Sequence, residues 1–151
     1  MHIEGEKRFD ARPEEVYRAL TDPDELCAAF PAIDHVEADG DEWTVVVRPP
    51  VPGGFRLKFS VHLEELREPE HARLRAWGKS IGGRISVDSR FDLAPVRGGT
   101  LMHWAAEVDA AGLFSGLGSQ SLGAVAKRQA DRALSQLARD VERAAAGRVM
   151  P

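Results

Sequence analysis

The sequence predicts an α+β domain: a seven-stranded antiparallel sheet wrapped around a long C-terminal helix, with two short helices after the first strand. Three observations lead there. From Ile33 to Val108 the hydrophobic period is two, in six successive runs separated by turn residues. From about Leu117 to Ala146 it changes to steps of three and four in one alanine-rich stretch, the spacing of a single amphipathic helix. Pro13 and the pair Asp22-Pro23 are helix-start signals standing between the first run and the rest.

The elements follow in order. His2 to Phe9 alternates and reads as a strand. Asp10-Ala11-Arg12 ends it, and Pro13 opens a short helix that buries Val16, Tyr17 and Leu20. Asp22, with Glu25 three residues on, makes a capping box for a second short helix through Leu26 to Phe30, ended by Pro31. Asp39-Gly40-Asp41 turns the strand from Ile33 into one carrying Trp43, Val45 and Val47 on one face. Pro49 to Gly54 is a loop, because its three prolines remove three ladder donors. The next strand alternates most cleanly: Phe55, Leu57, Phe59, Val61 and Leu63 on one face, Arg56, Lys58, Ser60, His62 and Glu64 on the other, as in a sheet with one wet side. A strand from about Ala72 to Ile81 turns at Gly82-Gly83 into Ile85, Val87, Ser89, Phe91 and Leu93, and Pro95 to Gly99 leads to Thr100, Met102, Trp104, Ala106 and Val108. Leu122, Val125, Ala126, Ala130, Leu134, Leu137 and Val141 form the apolar stripe of the last helix, and Gly147 is its expected stop. The helix must cover the apolar face of the sheet. Residues 1–147 therefore read as one domain and 148–151 as a tail, with no repeat and no linker.

Size and composition agree. A chain of 151 residues, 43% hydrophobic and 29% charged, suits one core that buries about 70% of the surface its unfolded form exposes. No apolar run reaches the roughly 18 residues of a spanning helix, and the charged start from Met1 to Arg8 is unlike a signal peptide. A net charge of −4 gives no overall field to attract nucleic acid. The single cysteine, Cys27, forms no internal disulfide, which suits a cytoplasmic protein.

Little in the sequence points to catalysis. His2, His35, His62, His71 and His103 are scattered with no pair at metal-ligand spacing, and His62 and His103 alternate with apolar neighbours, as solvent-facing residues do. No metal or cofactor is expected. Nucleophile-elbow, zinc-protease and phosphate-loop patterns are absent. Asp22, Asp24 and Glu25 are explained as a cap and first-turn acids rather than an acid-base pair. Arg73, Arg75, Lys79, Arg84 and Arg90 make a basic stripe interrupted by Asp88 and Asp92, which reads as a solvated face. Polar residues on inward faces carry more information. Ser80, Ser89 and Gln129 stand where an apolar residue would continue the pattern, and each needs a partner in the fold, a water or a ligand.

This order of elements resembles the helix-grip fold of the START-like (SRPBCC) superfamily, in which a curved antiparallel sheet wraps the final helix around an apolar cavity. Ala11-Arg12-Pro13-Glu14-Glu15-Val16-Tyr17-Arg18-Ala19-Leu20-Thr21-Asp22-Pro23-Asp24-Glu25-Leu26, then Phe30-Pro31, Gly99-Thr100-Leu101-Met102-His103-Trp104, Gly112-Leu113 and Leu117-Gly118 narrow it. Together they are similar to the G-subunit family of carbon monoxide dehydrogenase and span nearly the whole chain. The resemblance implies a cavity lined by Trp43, Phe59, Val61, Ser80, Ser89, Phe91, Met102, Trp104, Leu122, Val125 and Gln129, residues that by number alone would equally make a plain core. It implies a non-catalytic binder of an apolar or amphipathic small molecule, lipid- or quinone-like, with Ser89 or Gln129 orienting a polar end. Leu113, Phe114 and Leu117, with the Pro49 to Gly54 loop, would form a lid or membrane lip, or simply a packed start to the helix. Two other readings stay open. One is an accessory protein recruiting a molybdenum hydroxylase of the carbon monoxide dehydrogenase type to the inner membrane face. The other is an enzyme like the polyketide cyclases and aromatases that share the fold. Membrane association of the chain alone is expected to be weak, since its net charge opposes anionic lipids.

Overall fold

In a computed structural model that describes residues 1–48, 56–80, 83–112 and 119–149, the elements run β1 (His2–Phe9), α1 (Pro13–Leu20), α2 (Pro23–Ala28), β2 (Ile33–Asp39), β3 (Glu42–Val47), β4 (Leu57–Arg67), β5 (His71–Ser80), β6 (Gly83–Val96), β7 (Gly99–Gly112) and α3 (Ser119–Val149). The strands form one seven-stranded sheet in the order β1-β7-β6-β5-β4-β3-β2. Every pairing is antiparallel. Only β1 is out of sequence order, brought beside β7 by the two short helices.

The local signals operate as the sequence suggests, with three differences. Asp22 caps α2 by accepting from the backbone N–H groups of Asp24 and Glu25 at 2.9 and 3.0 Å, so the helix begins at Pro23 and ends at Ala28, ahead of the expected Leu26 to Phe30. The sixth connection is shorter than Pro95 to Gly99. Pairing continues through Pro95↔Thr100 to Val96↔Gly99, leaving a two-residue turn in which Gly98 takes φ +81°. Gly147 does not stop α3, which runs on to Val149; an exposed glycine inside a helix costs only about 1 kcal/mol, and the helical turns before it supply the bonds. Residues 148 and 149 are thus helical rather than tail.

The core is divided. Where β1, β7 and the far half of β6 meet α1 and the C-terminal half of α3, side chains close-pack: Phe9 and Val16 are fully buried, and Phe91, Met102, Trp104, Leu137 and Val141 surround them. Thr100 stitches this half together by donating from Oγ1 to the Ala11 carbonyl at 2.7 Å. A second cluster, Cys27, Trp43, Val45 and Leu63, lies where α2 meets β3 and β4. Between the two, Phe59, Val61, Leu74, Ile85 and Val87 stay only half-buried although they point inward.

Backbone approach is closest at the β7 start. A Cβ on Gly99 would stand 2.1 Å from the Phe9 carbonyl oxygen, a clash with main chain that no side-chain rotation relieves. Gly99→Ala should therefore lower stability by about 1 to 3 kcal/mol, read as a lower urea midpoint, whereas alanine at the exposed Gly147 should raise it slightly.

On the outer face, the β4–β5 corner carries a charge network that sequence spacing hides. A bulge between Glu64 and Arg67 puts Glu65 at φ +52°, and His71, buried despite its outward face, contacts Asp92 through Nδ1 at 2.8 Å and Glu65 through Nε2 at 3.2 Å. Arg73 donates to Glu65 at 3.0 Å and to both Asp88 oxygens. Hydrogen bonds from Arg73 hold the Glu65 and Asp88 carboxyls below the usual carboxylate range, with His71 adding to the effect on Glu65. A depressed carboxyl stabilises the fold above its unfolded pKa, and that contribution is lost as pH falls through its folded pKa. The stability advantage of wild type over Arg73→Leu should accordingly be full at neutral pH and shrink below about pH 4, measured as the difference in thermal midpoints.

A candidate ligand cavity between sheet and long helix

Of these half-buried inward residues Phe59, Val61, Leu74 and Ile85 line a partly open cavity of about 340 Å³. Its floor is the concave face of the sheet, from Trp43, Val45 and Val47 on β3 through Leu57, Phe59 and Val61 on β4 to Leu74, Ala76, Ile85 and Ser89 on β5 and β6. One wall is α2 and its exit, Leu26, Cys27, Phe30, Ala32 and Ile33; the roof is the N-terminal half of α3, through Val125, Ala126 and Gln129. The space follows from side-chain size. Opposite the packed half of the sheet α3 presents Leu134, Leu137 and Val141, but over the cavity it presents Val125 and Ala126, too short to reach the floor.

Among the described residues, Ser89, Gln129 and Cys27 bring polar groups to the lining beside the Trp43 indole. Ser89 donates from Oγ to the Leu74 carbonyl at 3.0 Å, which occupies its proton and leaves its lone pairs free. Gln129 is half-buried and has no hydrogen-bond partner among the described residues. Cys27 is buried, and that desolvation, reinforced by the nearby charges of Asp24 and Asp22, pushes its thiol up to about 11. It is a neutral S–H at physiological pH, a small apolar wall and not a nucleophile. Among the described residues no charged side chain lines the cavity.

Six of the residues proposed from sequence, Trp43, Phe59, Val61, Ser89, Val125 and Gln129, fall on this cavity. Phe91, Met102 and Trp104 do not. They share the inward face but lie further along β6 and β7, where the bulk of Leu134 and Leu137 fills the space, and they belong to the packed core. The side chains of Ser80 and Leu122, together with Leu113, Phe114, Leu117 and the Pro49 to Gly54 loop, lie outside the described residues. Sequence reasoning missed the contribution of α2. Leu26, Cys27 and Phe30 form a legible apolar side of a short helix, but that Cys27 joins Trp43, Val45 and Leu63 while Leu26 and Phe30 also touch the main core is set by tertiary placement. His62 and His103 stand on the outer face beside Glu42 and Glu6, as expected. Among the described residues no cluster of His, Cys, Asp and Glu can hold a metal ion, and no helix is long and apolar enough to cross a membrane.

Comparison with known proteins gives the same architecture. A conserved protein from Geobacillus kaustophilus superposes with a TM-score of 0.87 at 18% identity, covering 95% of this chain and 96% of that one. Protein CV1439 from Chromobacterium violaceum gives 0.74 at 22% identity, with 93% and 96% covered. Ara h 8.0201 gives 0.69 at 15% identity, with 93% and 97% covered. No curated protein matches the sequence. These likenesses show the fold, the helix grip. The sequence itself fits the model of one family, the G-subunit of carbon monoxide dehydrogenase (CoxG), over residues 5–142. With that match running through both short helices, the sheet from Gly5 of β1 onward and most of α3, the chain belongs to the CoxG family.

Proposed function

We propose that this protein is a non-catalytic carrier that holds an apolar or amphipathic small molecule, lipid- or quinone-like, between the sheet and α3. The observation that supports it is the cavity of about 340 Å³ walled by apolar side chains in a fold that could have closed on itself, as its other half does. That volume lies toward the lower end of the roughly 300–1,000 Å³ of small-molecule pockets. Burial of the ligand's apolar body supplies the affinity, at about 25 cal/mol per Å² removed from water. Ser89 Oγ and the Gln129 amide, which has no hydrogen-bond partner among the described residues, orient its polar end. Binding rather than catalysis is favoured because the lining offers a hydroxyl whose proton is engaged, an amide and a protonated thiol, with no acid-base pair among them.

The family match supports a second, compatible role: an accessory of carbon monoxide dehydrogenase, a molybdenum enzyme, for which the carrier would supply or accept the small molecule. In this reading the protein works in the cytoplasm and meets the inner membrane face only transiently. Native mass spectrometry of protein purified from its own host tests the carrier reading. One uncharged apolar molecule per chain, displaced by the uncharged dye phenylnaphthylamine, is the expected result. An empty protein that also fails to enhance the dye's fluorescence in a saturable titration would refute it.

A further inference from the structure

The net charge of −4 conceals a segregation of charge on the outer face of the sheet. Lys58, Lys79 and Arg84 are direct cross-strand neighbours on β4, β5 and β6. All three are exposed, and none pairs with a carboxylate among the described residues. Like charges set opposite one another in a sheet are destabilising. The adjacent row centres on Trp77, 38% exposed and one of only two large hydrophobic side chains left exposed among the described residues. Its ring is held upright: the Arg75 guanidinium lies 5.0 Å from the ring centroid and His62 meets it edge-on at 5.2 Å. By contrast Arg73, which the sequence groups with this stripe, is neutralised by Glu65 and Asp88, and Arg75 is only loosely matched by Glu64 at 3.6 Å.

We propose that this strip is a docking site for a narrow acidic segment of a partner protein, with Trp77 as its apolar anchor. A rigid, half-exposed tryptophan flanked by arginine is the composition of an interface hot spot, and the unpaired cations supply complementarity to carboxylates. The shape of the charge selects the partner. The strip is two strand spacings wide, about 10 Å, and about 13 Å long from the Lys79 row to the Arg75 row. Beyond β6 the same face turns acidic, with Glu107 and Asp109 on β7 and Glu4 and Glu6 on β1. An extended anionic surface such as a bilayer would meet those carboxylates together with the cations, whereas a single acidic strand or helix fits between them and the next carboxylates on the other side, Glu42 on β3 and Glu37 on β2. This surface is on the opposite side of the sheet from the cavity, so docking leaves the ligand space untouched.

The test uses the full chain and a short fluorescein-labelled peptide of Glu and Asp with one central Leu, followed by anisotropy and by tryptophan fluorescence. Trp43 and Trp104 are buried, so an emission change reports Trp77. Saturable binding is expected, weakened about tenfold by moderate salt, by about tenfold or more in Lys79→Glu/Arg84→Glu, and several-fold in Trp77→Ala. A retained cooperative unfolding transition and retained dye binding verify that the variants are folded. Failure of the peptide to bind, equal binding by the charge-reversed variant, preferential binding of phosphatidylglycerol vesicles over the peptide, or a salt-sensitive dimer formed by the protein alone would each overturn the proposal.

Discussion

Truncating Trp104 to alanine should lower the unfolding free energy by about 3 to 5 kcal/mol, yet Trp104→Phe should cost a small fraction of that. The indole is 8% exposed, lies flat over Gly5, and takes the Lys127 ammonium 5.4 Å from its ring. Removing it opens a large hole in the packed half of the core, where α3 and β1 have no small movement that would refill it. Its Nε1, however, is buried without a hydrogen-bond partner, and an orphaned donor costs about 1 to 3 kcal/mol. Phenylalanine keeps a ring against Gly5 and deletes that donor, so the volume lost and the penalty relieved nearly offset. Urea midpoints for both variants separate the two contributions. A phenylalanine variant as unstable as the alanine one would mean that Nε1 is satisfied, by an ordered water for instance. Leu137→Ala, at a position 1% exposed opposite the same ring layer, should lose about 2 to 5 kcal/mol.

The contrast between those two core positions and the cavity shows where sequence reasoning works. Period-two alternation assigned the faces of β3, β4, β5, β6 and β7, because a strand with one wet side leaves no freedom about which residues turn inward. Facing inward does not say what is met there. Phe91 and Phe59 are both inward phenylalanines on sheet strands, yet one packs against α1 through Tyr17, ring centroids 5.9 Å apart, and the other lines open space. The difference lies in which stretch of α3 crosses above each, Leu134 and Leu137 or Val125 and Ala126, and that depends on helix placement. Local pattern is likewise silent on His71, whose partners Glu65 and Asp92 come from two other strands and from a bulge that shifts Glu65 out of alternation. Ser89 and Gln129 were legible because a polar residue in an apolar stripe breaks a pattern that can be counted.

Ser89→Phe should abolish binding of an uncharged apolar probe, with affinity falling at least about tenfold, while the protein stays folded. The substituted ring has room to grow only into the cavity, since Ser89 sits on its floor across from Leu74. Losing the hydroxyl's bond to the Leu74 carbonyl costs about 0.5 to 1.5 kcal/mol, and burying an aromatic side chain in apolar surroundings returns about 1.5 to 3. The unfolding midpoint should therefore hold or rise, which separates a filled site from a damaged fold. Ser89→Ala tests the polar end: it keeps the volume, so a wholly apolar probe should bind as before, whereas a ligand with a carbonyl or hydroxyl end should lose affinity, and lose more in combination with Gln129→Leu. Undiminished binding in Ser89→Phe would place the ligand outside the cavity altogether, and loss of binding together with a collapsed midpoint would show that the ring had been forced into packed core.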